Sequence, residues 1–208
     1  MCLCVLLPER PAVAQNPEGT PIRVLFLGNS LTAGYGLSPE EAYPALLQAR
    51  IDSLKWPVTI INAGVSGDTS AGGLTRLAWQ LEYPPDILVV ALGANDGLRG
   101  LPPAMTKSNL IQIIRQAREA NPNVSILIAG MQVPPNLGPI FQEEFREIYP
   151  SLAEEMDTEL IPFLLEGVGG VTELNQSDGI HPNAAGQRRL ADNVWNTLAP
   201  VLQPHIAR

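Results

Sequence analysis

The sequence predicts a single three-layer α/β/α domain with a flavodoxin-like, mostly parallel sheet of about five strands. Short apolar runs alternate with segments of helical periodicity along nearly the whole chain, a pattern typical of a parallel sheet covered by helices on both faces. The 208 residues are 45% hydrophobic and 16% charged, which suits one domain with a substantial core. No internal repeat or linker divides the chain, so we expect the folded domain to cover residues 21–208.

Residues 1–20 differ from the rest of the chain and are predicted to be a leader. Residues 3–7 are apolar, and Ala-Val-Ala at 12–14 has the small-x-small form of a signal-peptidase site. However, the apolar run is short and no basic residue precedes it. The leader is therefore predicted to be either a clipped signal peptide or a disordered segment. The first alternative implies a periplasmic or secreted protein, and the second a cytoplasmic protein.

The first half of the domain is predicted to contain three strands and two helices. Residues 22–27, 58–61 and 86–92 are apolar runs that favour buried strands, and 86–92, the most apolar, is expected at the centre of the sheet. Residues 40–54 carry apolar side chains on one face of a helix. Residues 74–81 are predicted to form a helix after a glycine-rich turn.

The second half is predicted to add three helices and two strands. A helix over residues 106–120 ends before an Asn-Pro pair, and a buried strand follows at 124–129. After a helix over 138–156, residues 160–163 are expected to form an edge strand, because their proline cannot donate a hydrogen bond to a neighbouring strand. Residues 183–202 form the closing helix in this interpretation.

Composition excludes several classes of function. A net charge of −8 leaves no basic surface for nucleic acid, and no apolar run is long enough to span a bilayer. Both cysteines, Cys2 and Cys4, lie in the predicted leader, and only two histidines are present. A zinc site is therefore not expected, and no metal or cofactor is predicted. Imidazole chemistry would depend on His181, because His205 lies in the C-terminal tail and is expected to face solvent.

Four turns carry the polar residues that suggest chemistry. The strand predictions are followed by Gly-Asn-Ser-Leu at 28–31, by a glycine-rich stretch at 62–70 and by Gly-Ala-Asn-Asp-Gly at 93–97. Asp-Gly-Ile-His-Pro-Asn occupies 178–183, directly before the closing helix. In a parallel sheet, the first three turns open at the same edge, where ligands bind in folds of this kind.

The spacing of these residues favours nucleophilic catalysis. Asp178 and His181 can lie side by side in one turn, so that the carboxylate accepts the Nδ1 proton and leaves Nε2 to take a proton from Ser30. Attack on an ester carbonyl also requires donors for the developing oxyanion. The backbone N–H groups of Ser30 and Gly67 and the side-chain amide of Asn95 are candidates for that oxyanion hole.

At these residues the sequence resembles the SGNH (GDSL-type) hydrolases, in particular the bacterial thioesterase I/lysophospholipase L1 and arylesterase branch. Ser30, Gly67, Asn95 and His181 match, in order, the four residues that name the superfamily, and Asp178 matches the acid of its Asp-x-x-His block. The resemblance implies a serine esterase that works through an acyl-enzyme intermediate. It implies small-molecule or lipid-like substrates: aryl or short- to medium-chain acyl esters, acyl thioesters or lysophospholipids.

One position departs from the family pattern. The first block usually has aspartate where this chain has Asn29. Asparagine keeps the shape and the hydrogen bonding of aspartate but removes a charge beside the nucleophile. We expect this difference to change the rate or the pH profile without abolishing activity.

Each candidate residue also has a plain structural interpretation. Ser30 could N-cap a helical turn, Asp178 could cap the closing helix, and Asn95 could be a simple turn former. Ser66 is a second candidate nucleophile, but it lacks the second glycine of a Gly-x-Ser-x-Gly elbow. Taken jointly, the structural interpretations require four coincidences at one edge of one sheet, which favours the catalytic hypothesis.

Two other functions remain as alternatives. A carbohydrate O-deacetylase belongs to the same superfamily, and a non-catalytic flavodoxin-like binding module would share the fold. No nucleotide-binding glycine motif follows a strand, which counts against the binding module.

The loop at 96–102 is predicted to move when substrate binds. Apolar residues predicted to line the substrate groove are Leu31, Leu98, Leu101, Val133, Pro134, Leu137 and Ile140.

Overall fold

The computed structural model describes residues 20–207, which contain a five-stranded parallel sheet in the order β2-β1-β3-β4-β5. Helices flank the sheet on both faces, so the predicted α/β/α, flavodoxin-like fold is confirmed. The strand bounds are β1 Ile22–Gly28, β2 Val58–Gly64, β3 Ile87–Ala91, β4 Ser125–Ala129 and β5 Glu159–Ile161.

The described residues include seven α-helices, of which the five longer ones form the two outer layers. Helices α2 and α7 pack together on one face of the sheet, and α3, α5 and α6 pack in sequence on the other. The bounds are α1 Ser30–Ala33, α2 Tyr43–Ser53, α3 Ser70–Gln80, α4 Ala94–Leu98, α5 Pro103–Ala120, α6 Pro139–Met156 and α7 Ala184–Ile206. Short 3₁₀ turns lie at Pro39–Glu41, Pro135–Leu137 and Thr172–Leu174.

Several element boundaries differ from the sequence prediction. Helix α3 begins four residues before the predicted 74, because Thr69 caps it by accepting a hydrogen bond from the Gly72 N–H at 3.2 Å. Helix α7 continues past the predicted 202 through Pro200 and Pro204, with Leu198 and Leu202 fully buried on its inner face. Helices α1 and α4 were not predicted, because four or five residues are too few to show helical periodicity.

The ends of the three adjacent strands β2, β1 and β3 are level. Gly28 at the end of β1 pairs with Gly64 of β2 on one side and with Ala91 of β3 on the other. The loops that follow these strands therefore open at the same edge. Strands β2 and β3 lie on either side of β1, and the helices that follow β1 and β2 pack on opposite faces of the sheet. This is the position where open α/β sheets bind ligands.

The core lies on both faces of β1, β3 and β4. Val24, Phe26 and Leu27 of β1 are fully buried, as are nearly all side chains of β3. At the opposite edge, His205 is partly buried with its Nε2 atom 3.2 Å from Ser125 Oγ, so the expectation that it faces solvent is wrong. In the part of the chain that the structure describes, no helix combines the length and hydrophobicity needed to cross a bilayer.

Candidate active site

The turn after β1 holds Ser30 at the first position of α1. Asn29 is the N-cap of this helix, and its Oδ1 atom accepts a hydrogen bond from the Leu31 N–H at 3.0 Å. Ser30 is therefore not the capping residue, and its hydroxyl does not serve the helix end. Because α1 stops after one turn, at Gly34 in a left-handed conformation, Ser30 is held between a buried strand and a tight turn.

Asp178 and His181 form a compact turn before α7. Asp178 Oδ1 accepts hydrogen bonds from the N–H groups of Ile180 at 2.9 Å and His181 at 3.0 Å, and Asp178 Oδ2 lies 2.6 Å from His181 Nδ1. The cap of α7 is Asn183, whose side chain accepts hydrogen bonds from two backbone N–H groups. Asp178 is therefore not needed as a helix cap and is bonded wholly to the turn that carries the imidazole.

The structure brings Ser30 and His181 together although 151 residues separate them. His181 Nε2 lies 3.0 Å from Ser30 Oγ. An ionised carboxylate can only accept, so His181 Nδ1 must donate its hydrogen to Asp178, and Nε2 is then free to accept the Ser30 hydroxyl hydrogen. Serine, imidazole and carboxylate thus form one chain of hydrogen bonds suited to proton transfer.

The hydrogen bonds of this turn keep Asp178 ionised. The His181 backbone N–H, then the His181 side chain and then the Ile180 N–H lower the pKa of Asp178 from 3.8 to about 2. The side chains of Asp178 and His181 are 39% and 20% exposed, respectively. The carboxylate therefore stays negative over the whole neutral range while remaining in contact with solvent.

Three potential oxyanion donors lie in the loops at the same edge. Within residues 20–207, the N–H groups of Ser30 and Gly67 have no hydrogen-bond acceptor. Gly67 has a φ angle of +85°, a conformation that side-chain-bearing residues adopt with strain. Asn95 Nδ2 donates one hydrogen to the Asp68 carbonyl at 2.8 Å, which fixes the amide and leaves its second hydrogen available.

Comparison with known proteins identifies the family. The model of the GDSL-like lipase/acylhydrolase family matches residues 26–189, well over half of the chain. The chain belongs to the GDSL-like lipase/acylhydrolase family. The resemblance inferred from the four sequence blocks is thereby confirmed.

Named relatives match along nearly the full chain. The esterase TesA of Pseudomonas aeruginosa is 44% identical over 202 residues, which cover 97% of this chain and 96% of that protein. The thioesterase 1/protease 1/lysophospholipase L1 of Escherichia coli K12 is 40% identical over 199 residues, which cover 95% of this chain and 90% of that protein. A crystal structure of TesA superposes with a TM-score of 0.83 at 45% identity, covering 86% of this chain and 99% of that one.

In this member of the GDSL-like family, an arginine that sequence reasoning missed ties the second loop to the nucleophile turn. Arg76 Nε lies 2.6 Å from Asp68 Oδ2, and Arg76 Nη2 donates to the Gly28 carbonyl at 2.9 Å. The Gly28 carbonyl also accepts the Val65 N–H at 3.0 Å. The loop carrying Gly67 is therefore anchored to Gly28, two residues before Ser30.

Two glutamines, also missed, tie the histidine turn to the nucleophile turn. Gln176 donates through its backbone N–H to the His181 carbonyl and through Nε2 to the Tyr35 carbonyl, both at 2.7 Å. Gln187, buried in α7, donates through Nε2 to the Leu31 carbonyl at 3.2 Å. A polar residue on the apolar face of the closing helix was the one sequence signal for Gln187; no local pattern marks Gln176.

The predicted groove residues of this family member lie in different environments, and their role stays a prediction. Leu31 is only 4% exposed and belongs to the core, whereas Leu98 and Ile140 are 44% and 75% exposed. Pro134 is exposed, and Leu101, Val133 and Leu137 are partly buried. Val133 alone among the seven lines a cavity of about 230 Å³, together with Gln132, Pro139, Gln142, Glu143 and Arg146.

Proposed function

We propose that this protein is a serine esterase that hydrolyses carboxylic esters through an acyl-enzyme intermediate. The observation that carries the proposal is the continuous hydrogen bonding from Ser30 Oγ to His181 Nε2 at 3.0 Å and from His181 Nδ1 to Asp178 Oδ2 at 2.6 Å. Membership of an acylhydrolase family supports it, as do the names of two relatives, an esterase and a thioesterase/lysophospholipase.

Acylation begins when Ser30 Oγ attacks the ester carbonyl carbon. The serine proton passes to His181 Nε2, and Asp178 stabilises the imidazolium that results. The carbonyl oxygen becomes an oxyanion, for which the N–H groups of Ser30 and Gly67 and the Asn95 amide are the proposed donors. When the tetrahedral intermediate collapses, His181 gives its proton to the departing alkoxide or phenoxide, and the acyl group stays on Ser30.

Deacylation repeats these steps with water as the nucleophile. His181 removes a proton from water, the hydroxide attacks the acyl carbonyl, and the same donors hold the second oxyanion. The proton then returns from His181 to Ser30 Oγ as the carboxylic acid leaves. The cycle consumes one water per ester, and the residues named above carry out every step.

The proposed substrates are aryl and short- to medium-chain acyl esters, with acyl thioesters and lysophospholipids as further candidates. The names of the relatives support all three chemistries. A panel of p-nitrophenyl esters from acetyl to palmitoyl, acyl thioesters, lysophospholipid and acetylated sugars tests this range. Highest kcat/KM on acetylated sugars would support the O-deacetylase alternative, and no turnover of any ester would support a binding module.

Ser30→Ala and Ser66→Ala form a matched pair that tests the nucleophile. Ser66 is an exposed serine at the same sheet edge, one residue before Gly67. We expect Ser30→Ala to lower kcat by about 10⁶-fold, as loss of the nucleophile does in other serine hydrolases, and Ser66→Ala to stay near the wild-type rate. A phosphonate inhibitor should label Ser30 in a peptide map; labelling of Ser66 instead would refute the assignment.

We also infer that the leader directs export to the periplasm or outside the cell. Residues 1–19 lie outside the described part of the chain, so the inference rests on the apolar run and the Ala-Val-Ala sequence at 12–14. The N-terminal sequence of protein recovered from the periplasmic fraction tests it. A start at Gln15 supports export, and uncleaved protein confined to the cytoplasm contradicts it.

A further inference from the structure

Asp96 is a buried carboxylate that the proposed mechanism does not use. It lies in α4, directly after Asn95, and is 1% exposed. Among residues 20–207, no lysine, arginine or histidine forms an ion pair with it. A buried carboxylate without a cation is costly unless hydrogen-bond donors replace the water that it has lost.

The donors come mainly from one residue, Ser70, at the start of α3. Asp96 Oδ2 accepts the Ser70 N–H at 2.7 Å, and Asp96 Oδ1 accepts the Ser70 hydroxyl at 2.5 Å. Asn109 Nδ2 donates to the Ser70 Oγ atom at 2.9 Å, and Thr106 Oγ1 lies 3.3 Å from Asp96 Oδ1. Each carboxylate oxygen of Asp96 is therefore occupied by a separate donor of Ser70.

Asn95 and Asp96 thus hold the same short segment, residues 68–70, at two points. Asn95 Nδ2 donates to the Asp68 carbonyl at 2.8 Å. Ser70, two residues after Asp68, binds Asp96. This segment follows Gly67 directly. The spacing between the Gly67 N–H and the Asn95 amide is consequently set by the contact between α4 and the start of α3.

We propose that Asp96 is the positioning residue of the oxyanion hole, holding the Gly67 loop and the Asn95 amide at a fixed separation through Ser70. The inference rests on the proposed function, because it assigns a role to two of the proposed oxyanion donors. Asp96 itself touches neither substrate nor Ser30 in this scheme. It acts through Ser70, which fixes the positions of the donors.

The chemistry of the contact favours a carboxylate over an amide. Asparagine at position 96 presents one acceptor and one donor, whereas Ser70 presents two donors to this site. Whichever way the amide turns, one hydrogen of Ser70 loses its acceptor, and an unsatisfied buried polar group costs about 1–3 kcal/mol. The segment after Gly67 is then free to shift in order to regain a partner.

The positioning role and the charge of Asp96 predict opposite effects of Asp96→Asn on kcat. A negative charge near the oxyanion raises the energy of the transition state, so the loss of charge alone would increase kcat. Loss of positioning decreases kcat, and a displacement of about 1 Å can cost about 10²-fold. We expect the loss of positioning to outweigh the loss of charge, so that kcat decreases. Because the donors act only in the transition state, KM should change little.

Asp96→Asn and Asp86→Asn form the matched pair for the test. Asp86 is also a carboxylate that accepts a backbone N–H, that of Arg23 at 2.8 Å, but it lies just before β3, at the opposite edge of the sheet. We measure kcat and KM on p-nitrophenyl butyrate, the rate of inactivation by a phosphonate, and thermal unfolding. Asp96→Asn should lower kcat and the phosphonylation rate together, by about 10²-fold, with KM little changed; Asp86→Asn should change neither rate.

Three outcomes overturn the proposal: unchanged or increased kcat in Asp96→Asn, an equal loss in Asp86→Asn, or a loss confined to KM. If Asp96→Asn does not fold, Ser70→Ala decides, since it removes only the hydroxyl and should lower kcat by about tenfold with normal KM. Ser30→Ala separates the two levels of inference. If Ser30→Ala is inactive while Asp96→Asn and Ser70→Ala are normal, the esterase proposal stands and the positioning role fails.

Discussion

The two sides of the candidate active site are built in opposite ways. His181 and Asp178 stand on a solvent-exposed turn, with side chains 20% and 39% exposed. Across the site, Asn95 precedes a carboxylate that is 1% exposed and fully hydrogen-bonded to the interior. In the proposed mechanism, the group that gains and loses a proton is thus left near water, whereas the proposed oxyanion donors are held by contacts in the core.

The exposed side is nevertheless held in place. Gln176 connects the His181 carbonyl with the Tyr35 carbonyl, and the Tyr35 ring lies against the imidazole with ring centroids 4.5 Å apart. The two sides therefore differ in their access to solvent more than in the number of contacts that fix them. We expect substitutions on the exposed side to change activity with little loss of stability, and substitutions on the buried side to change both.

Asp178→Asn should have the largest effect on the exposed side. An amide cannot accept both a backbone N–H and the Nδ1 hydrogen with the same geometry, so His181 is expected to hold its hydrogen on Nε2, where it cannot accept a proton from Ser30. The equivalent change in other triads lowers kcat by about 10⁴-fold. Asp192→Asn, an exposed acid paired with Arg50 at 3.1 Å, is the control. A loss of kcat below tenfold, or a large fall in Tm, would contradict the expectation for the exposed side.

The pH dependence sharpens the same point. Since its hydrogen bonds lower the pKa of Asp178 to about 2, this group stays ionised on the acid side of the pH–rate profile. We therefore expect any loss of activity between neutral pH and pH 4 to have a cause other than protonation of Asp178. A lowered pKa stabilises the fold above 3.8, the unfolded value, and this contribution is lost as pH falls toward 2. Unfolding midpoints of the wild type and Asp178→Asn should therefore converge near pH 2; a difference that persists there contradicts the assignment.

Asn95→Ala tests the donor side and should lower kcat by about 10²–10³-fold, the usual cost of one oxyanion donor. It also removes the hydrogen bond to the Asp68 carbonyl, so a loss of stability of about 1 kcal/mol should accompany it. Asn193→Ala is the control, because Asn193 likewise donates through its amide to backbone carbonyls, those of Leu164 and Glu166. A near-normal rate for Asn95→Ala would remove Asn95 from the proposed mechanism.

The sequence predicts the strands and the four turns because both are local features. Apolar runs identify β1, β3 and β4, and short motifs place Ser30 and His181 at strand or helix ends. The partners of the buried side could not be predicted in this way. Asp96 and Ser70 lie 26 residues apart, and neither differs in sequence context from an ordinary turn or helix-start residue. Their pairing depends on the level ends of β2, β1 and β3, which bring α4 to the start of α3.

Tyr35→Ala should have a smaller effect on the exposed side. Tyr35 is 52% exposed, and its ring is tilted by 38° against the His181 ring. Its loss therefore removes one packing contact of the imidazole. A contact between such rings is worth about 0.5–1.5 kcal/mol, which predicts a 2- to 10-fold decrease in kcat. Tyr35→Phe keeps the ring and should retain the wild-type rate. If Tyr35→Phe loses as much as Tyr35→Ala, the hydroxyl and not the ring is responsible.

Asn29→Asp should cause the smallest change, because it restores the residue usual in the family at a position that is 1% exposed. Its side chain can still accept the Leu31 N–H, now held at 3.0 Å, so the cap of α1 is preserved. The added negative charge lies next to Ser30, whose hydroxyl contacts the imidazole, and should change the rate or shift the pH–rate profile. A charge interaction of about 1 kcal/mol corresponds to a change of about fivefold in rate. Asn121→Asp, which caps the Asn123 N–H at 3.0 Å at the opposite edge of the sheet, provides the control. Identical rates and pH profiles for Asn29→Asp and the wild type would show that the charge at this position does not act on the imidazole.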